Sequence, residues 1–102
     1  MKCEDLEVRQ NDLLPPLIVD VNDQGEPVDL TTATTVKMIG YQGGVEKFNR
    51  DATTVGLGQA MMNWETGDTD TIGPMKVFVK INWTGRELTI EPDNKVQILR
   101  VP

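Results

Sequence analysis

The sequence predicts an all-β protein, one domain built as a sandwich or small barrel and entered through a polar N-terminal arm. Three observations carry that expectation. Apolar residues recur with period two, as half-buried strands require. Turn-forming residues return about every 8–12 residues. A chain of 102 residues has room for one core of ordinary size.

Residues 1–12 are too polar to feed a core and read as an acidic arm, loose or laid on a neighbour; the domain proper is expected over 13–102. Leu17, Val19 and Val21 alternate with Ile18 and Asp20 as a first strand. The stretch "DVNDQGEPVDL" that continues it, Asp20 to Leu30, invites comparison with a calcium loop. An EF-hand loop needs a bidentate Glu at its twelfth place, and counting from Asp20 that place is Thr31. The better reading is a turn: Asn22 and Asp23 supply local hydrogen bonds, Gly25 the positive φ, and Pro27 a blocked N–H suited to a strand edge. A calcium site outside the EF-hand pattern, on Asp20, Asp23 and Asp29, is the minor alternative.

Val36, Met38 and Gly40 give the next strand, "YQGG" its turn, and Val45 to Phe48 the hairpin partner. "ATTV" (Ala52 to Val55) is β-branched and extended, and "QAMMNW" sets Ala60, Met62 and Trp64 on one face; Gly56 and Gly58 between them suggest a turn or bulge. In "NWETGDTDTIG", Thr66 or Asp68 is placed to cap a short helical turn. "MKVFVKINW" is the clearest strand, with Met75, Val77, Val79, Ile81 and Trp83 on one face and Lys76, Phe78, Lys80 and Asn82 on the other. Thr84-Gly85 turns it into Leu88–Ile90, and the last strand runs from Val96 to Val101. The expected core is Leu17, Val19, Val21, Val36, Met38, Met62, Trp64, Val77, Val79, Ile81, Leu88, Ile90 and Ile98.

Charge and composition narrow the function classes. The formal charge is −6, with no histidine and one cysteine, Cys3. Residues 1–30 hold eight acids against Lys2 and Arg9, so the remainder is balanced. An acidic first third disfavours nucleic acid, whose phosphates call for Lys and Arg. The plainer reading of these acids, and on charge alone the favoured one, is a solvated surface; the sharper is a strip for a basic neighbour, which makes Glu4, Asp5, Glu7, Arg9 and Asp12 candidate partner contacts. Without histidine the usual general base and Ser-His or Cys-His pairs are missing. A lone cysteine allows neither an internal disulfide nor a zinc ligand set.

No apolar run approaches the roughly 18–20 residues of a membrane helix. The N-terminus lacks a secretory h-region, which places the protein inside a cell or among products released by lysis; the "NWT" sequon at Asn82 then has no occasion for use. No cofactor is expected. Asp68 and Asp70 are weighed as a hydrolytic carboxylate pair, and Trp64 or Trp83 as a sugar-stacking platform; backbone-bonding turns and core packing are the stronger readings.

Set in order, "LPPLIVDVNDQGEPVDLTTATTVKM", "GQAMMNW", "GDTDTIGPMKVFVKI", "GRELTIEP" and "VQI" resemble the Ig-like β-sandwich of tail-associated phage proteins, akin to the N-terminal domain of the phage baseplate upper protein. The resemblance spans roughly residues 13–101 and rests on the order of its turn motifs, Asp23, Gly25, Pro27 and Asp29 in one and Gly67, Asp68, Asp70 and Gly73 in the other. Where such domains tend to carry an aromatic residue after the last glycine, this chain has Gly73-Pro74-Met75. The resemblance implies a single Ig-like antiparallel sandwich of about 7–8 strands. It also implies a non-enzymatic virion part that docks on other tail, neck, baseplate or capsid proteins in symmetric copies, all scaffold without a receptor-binding tail. A carbohydrate-binding sandwich is the alternative.

Overall fold

A computed structural model describes residues 5–13, 15–56, 58–92 and 95–100. In it the period-two segments become eleven strands: β1 Leu6–Arg9, β2 Leu17–Asp20, β3 Asn22–Asp23, β4 Glu26–Pro27, β5 Thr35–Gln42, β6 Val45–Asp51, β7 Thr53–Gly56, β8 Gln59–Met62, β9 Gly73–Trp83, β10 Arg86–Ile90 and β11 Val96–Leu99. Among the described residues there is no helix. The larger sheet has the order β1-β11-β9-β5-β6, with β10 also on β9; a second sheet has the order β2-β8-β7; β3 and β4 form a ribbon of their own.

The eleven residues of β9 organise the larger sheet. One edge pairs with β5 from Lys76 to Asn82. The other is shared, its start with β11 and its end with β10. Its alternation does what the sequence leads one to expect: Met75, Val77, Val79 and Ile81 are buried and the intervening residues are not. These four meet Val36, Met38 and Phe48 of the same sheet, and Leu17, Val19, Ala60 and Met62 of the smaller one, in a single cluster. Burying one such side chain fully contributes about 1.5–3 kcal/mol, so the shared core holds the two sheets together.

Two expectations about strand pairing change. Residues 6–9 are not a loose arm. β1 pairs with β11 from Leu6↔Val96 to Arg9↔Leu99, and Val8 is only 1% exposed. Alternation again supplies the reason, since Leu6 and Val8 turn inward while Glu7 and Arg9 face water. This pair is parallel, so the fold is all-β with mixed pairing rather than antiparallel throughout. The strand count exceeds the expected one partly because Asn22–Asp23 and Glu26–Pro27 form their own short ribbon.

Gln24 and Gly25 turn that ribbon, with φ of 53° and 83°, the two positive values a tight two-residue hairpin loop needs. In the β5–β6 hairpin the register shifts at Gly40/Tyr41. A side chain on Gly40 would run into the Phe48 ring. The glycine there makes room for the aromatic residue on the neighbouring strand. Ala52 alone separates β6 from β7, so one stretch of chain passes from the larger sheet into the smaller. A bulge between Thr54 and Gly56 marks the region where glycines signalled one.

Core membership follows the expected list except at Leu88 and Ile90. They lie on the inner face but at the sheet margin, so they are half-buried. Val8, Leu30, Phe48, Ala60, Met75 and Val96 join the core. The helical turn anticipated near Asp68 is a series of turns instead. There the Asp68 carboxylate accepts from the upstream Glu65 N–H at 2.8 Å rather than capping a downstream helix.

Candidate interaction surface

Three adjacent columns occupy the middle of the larger sheet's outer face, flanked beyond β9 by Thr89 and Glu87 of β10. Cross-strand partners share a face, so the registers place Glu46, Asn49 and Asp51 of β6 beside Tyr41, Ile39 and Lys37 of β5. These in turn lie beside Lys76, Phe78 and Lys80 of β9. The middle of this face is apolar. Tyr41 and Phe78 meet edge to face, centroids 5.8 Å apart and planes at 80°. With Ile39, Pro74 and the Gly43-Gly44 turn they line an open groove of ≈ 780 Å³. Ile39, Tyr41 and Phe78 all remain partly exposed.

Charge is divided across this face: acids on β6, lysines on β9. Lower down the charges are matched within the chain, Lys37 to Asp51 at 3.6 Å and Lys80 to Glu87 at 3.4 Å. Beside Tyr41, Glu46 and Lys76 stand on opposite sides in the same row, and among the described residues neither forms a salt bridge. The signal for this face was in the sequence, as a Phe on the polar side of the longest strand.

The residues singled out from sequence occupy other places. Glu4 lies outside the described residues. Asp5 accepts from the Lys95 N–H at 2.9 Å, and Arg9 donates to the Arg100 carbonyl at 3.1 Å. Glu7 faces solvent. The Asp12 carbonyl accepts from the Thr69 hydroxyl at 2.9 Å. Asp5, Arg9 and Asp12 thus tie the first strand and the residues beside it to neighbouring segments.

The two turn motifs part company. Asp23 and Gly25 sit in the exposed ribbon with Pro27. Asp29 accepts from both the N–H and the hydroxyl of Thr31, at 3.0 and 2.6 Å, and these bonds hold its pKa below the ordinary carboxylate value. In the second motif, Gly67 and Gly73 take positive φ and the two acids become anchors. Asp68, 3% exposed, receives Arg50 through both Nη atoms. Asp70 receives Lys47 at 2.6 Å; this bond foremost, with one from Thr71, lowers its pKa.

Gln10 donates to the Asp70 carbonyl and Gln42 to that of Thr71, at 2.8 and 2.9 Å. The loop from Glu65 to Gly73 therefore clamps the first strand, β5 and β6 together. Two carboxylates each engaged by a different cation are poor candidates for a shared-proton pair. No group of three acidic, Cys or His side chains able to hold a metal occurs among the described residues.

Of the tryptophans, Trp64 is 4% exposed, packs edge to face on Phe48 at 5.7 Å and donates to the Pro15 carbonyl at 2.9 Å. Trp83 is half-buried, donates to the Thr32 hydroxyl at 3.2 Å, and carries the Arg86 guanidinium 5.0 Å from its ring centroid. A sugar would have to displace Arg86 to stack on that side of the ring.

Compared with known proteins, the chain matches no family model, no curated protein and no solved structure.

Proposed function

We propose that this chain is a non-enzymatic bacteriophage virion protein, an Ig-like β-sandwich module that docks on tail, neck, baseplate or capsid proteins. The observation that carries the docking role is the outer face of the larger sheet. Ile39, Tyr41 and Phe78 leave an apolar groove open on it while the core lies on the opposite side. An aromatic, apolar middle with a charged rim has the anatomy of a protein interface. The virion assignment draws on the ordered turn motifs. The structure adds that "GDTDT" is a clamp whose acids bind Arg50 and Lys47, which suits a scaffold. The contact moves from the N-terminal residues, of which Leu6–Arg9 are in the sheet, to the β5–β9 face. Quantitative mass spectrometry of purified particles tests this reading. A fixed copy number per particle is expected, and absence from particles would overturn it.

A further inference from the structure

The geometry points to a second copy of this chain as a partner of the β6–β5–β9 face, packed face to face about a two-fold axis that runs along β5. The three columns are complementary to themselves. A two-fold axis in the plane of contact and parallel to β5 exchanges left and right, so β6 of one copy lies over β9 of the other. Glu46 then opposes Lys76 of the second copy, and the reverse holds across the axis. The same operation sets Asp51 against Lys80, Asn49 against Phe78, and Tyr41 and Ile39 against their own equivalents.

An isologous contact requires a surface complementary to itself in this way. Glu46 and Lys76, which have no salt bridge among the described residues, are the two that gain partners. Lys37 is the one like-charge encounter, near the axis, and its own Asp51 lies 3.6 Å away. The chain's net charge does not oppose the pairing locally. It resides in residues 1–30, and none of those contributes to these columns.

The area fits a reversible contact. Three strands at about 4.8 Å spacing and eight residues at about 3.3 Å each present on the order of 400 Å² of projected surface per copy, smaller than a standard interface and in the range of weak, transient contacts. The inference rests on the proposed use of this face as an interaction surface but does not need the virion assignment. Self-pairing is read in solution and docking is read in particles, so the two fail separately.

Sedimentation equilibrium on the full chain over a concentration series is the test, with circular dichroism and thermal unfolding confirming that each variant is folded. The wild type is expected to form a concentration-dependent dimer. Glu46→Lys and Lys76→Glu, each alone, place like charges opposite one another and raise the dissociation constant at least about tenfold. Combined in one chain they restore the dimer, because the reversed columns again oppose opposite charge; a foreign partner would not be regained in this way. A monomeric wild type, single variants that dimerise normally, or a combined variant that stays monomeric would each overturn the inference.

Discussion

Arg50 and Asp68 form a forked ion pair at the margin of the core, with the Asp68 side chain only 4% exposed and that of Arg50 at 21%. Arg50 projects from β6 on the inner face, since its register partner is the buried Met38, and lies 5.4 Å from the Phe48 ring centroid. Asp68 reaches it from the loop before β9 and also accepts the Glu65 N–H. The pair joins a loop to a strand 18 residues away. Breaking such a pair leaves an uncompensated charge, whereas replacing both partners does not.

Asp68→Ala is therefore expected to cost about 3 kcal/mol of folding free energy. Arg50→Met combined with Asp68→Leu should recover a large part of it. Urea denaturation of the single and double variants measures both, and equal losses in the two would mean the charge pairing is not what holds the loop.

Gly40→Ala should destabilise the fold by about 1–3 kcal/mol, because the added methyl overlaps the buried Phe48 ring. Combining it with Phe48→Leu should lessen the penalty relative to the sum of the two single changes. Thermal unfolding of the three variants supplies the cycle.

Val8→Ala is expected to cost about 2 kcal/mol, and deletion of residues 1–9 to cost more, since β1 covers the edge of β11. Amide exchange on Val96 to Leu99 reports the loss. A truncated chain as stable as the intact one would return the segment to the status of a free arm.

The acid response has a defined sign. Asp70 and Asp29 have folded pKa values below their ordinary 3.8. The stability they add is present above that value and is lost as pH falls through the lower folded values. Asp70→Asn should thus lower Tm at pH 7, and the gap to wild type should close as pH drops below about 4. Tm measured across pH 2–7 checks it; a gap that persists at pH 2 would assign the effect to packing instead.

Legibility in the sequence tracked the range of the interaction. The alternation in β9 and the Gly43-Gly44 turn are local, and both strand and hairpin are where the pattern puts them. β1 was hidden because its two inward residues sit in an acidic stretch and its partner lies at the other end of the chain. Arg50 was invisible as an inward residue because the groups that make its burial tolerable, Asp68 above all with Glu65 and the Asn63 carbonyl, are brought to it by tertiary structure. The apolar β5–β9 face was half legible: Phe78 stood out among lysines, but its union with Tyr41 and Ile39 required the β5–β9 register.

The proposed role of the face bearing Phe78 is to attach this module to a virion. The most direct measurement is the copy number of wild-type and Phe78→Asp chains in purified particles, by quantitative mass spectrometry, with Tm confirming that the variant is folded. A fixed copy number is expected for wild type and at least about a tenfold loss for the variant, as when an aromatic anchor in an interface is replaced by a charge. Incorporation of a folded Phe78→Asp chain at the wild-type level would contradict it.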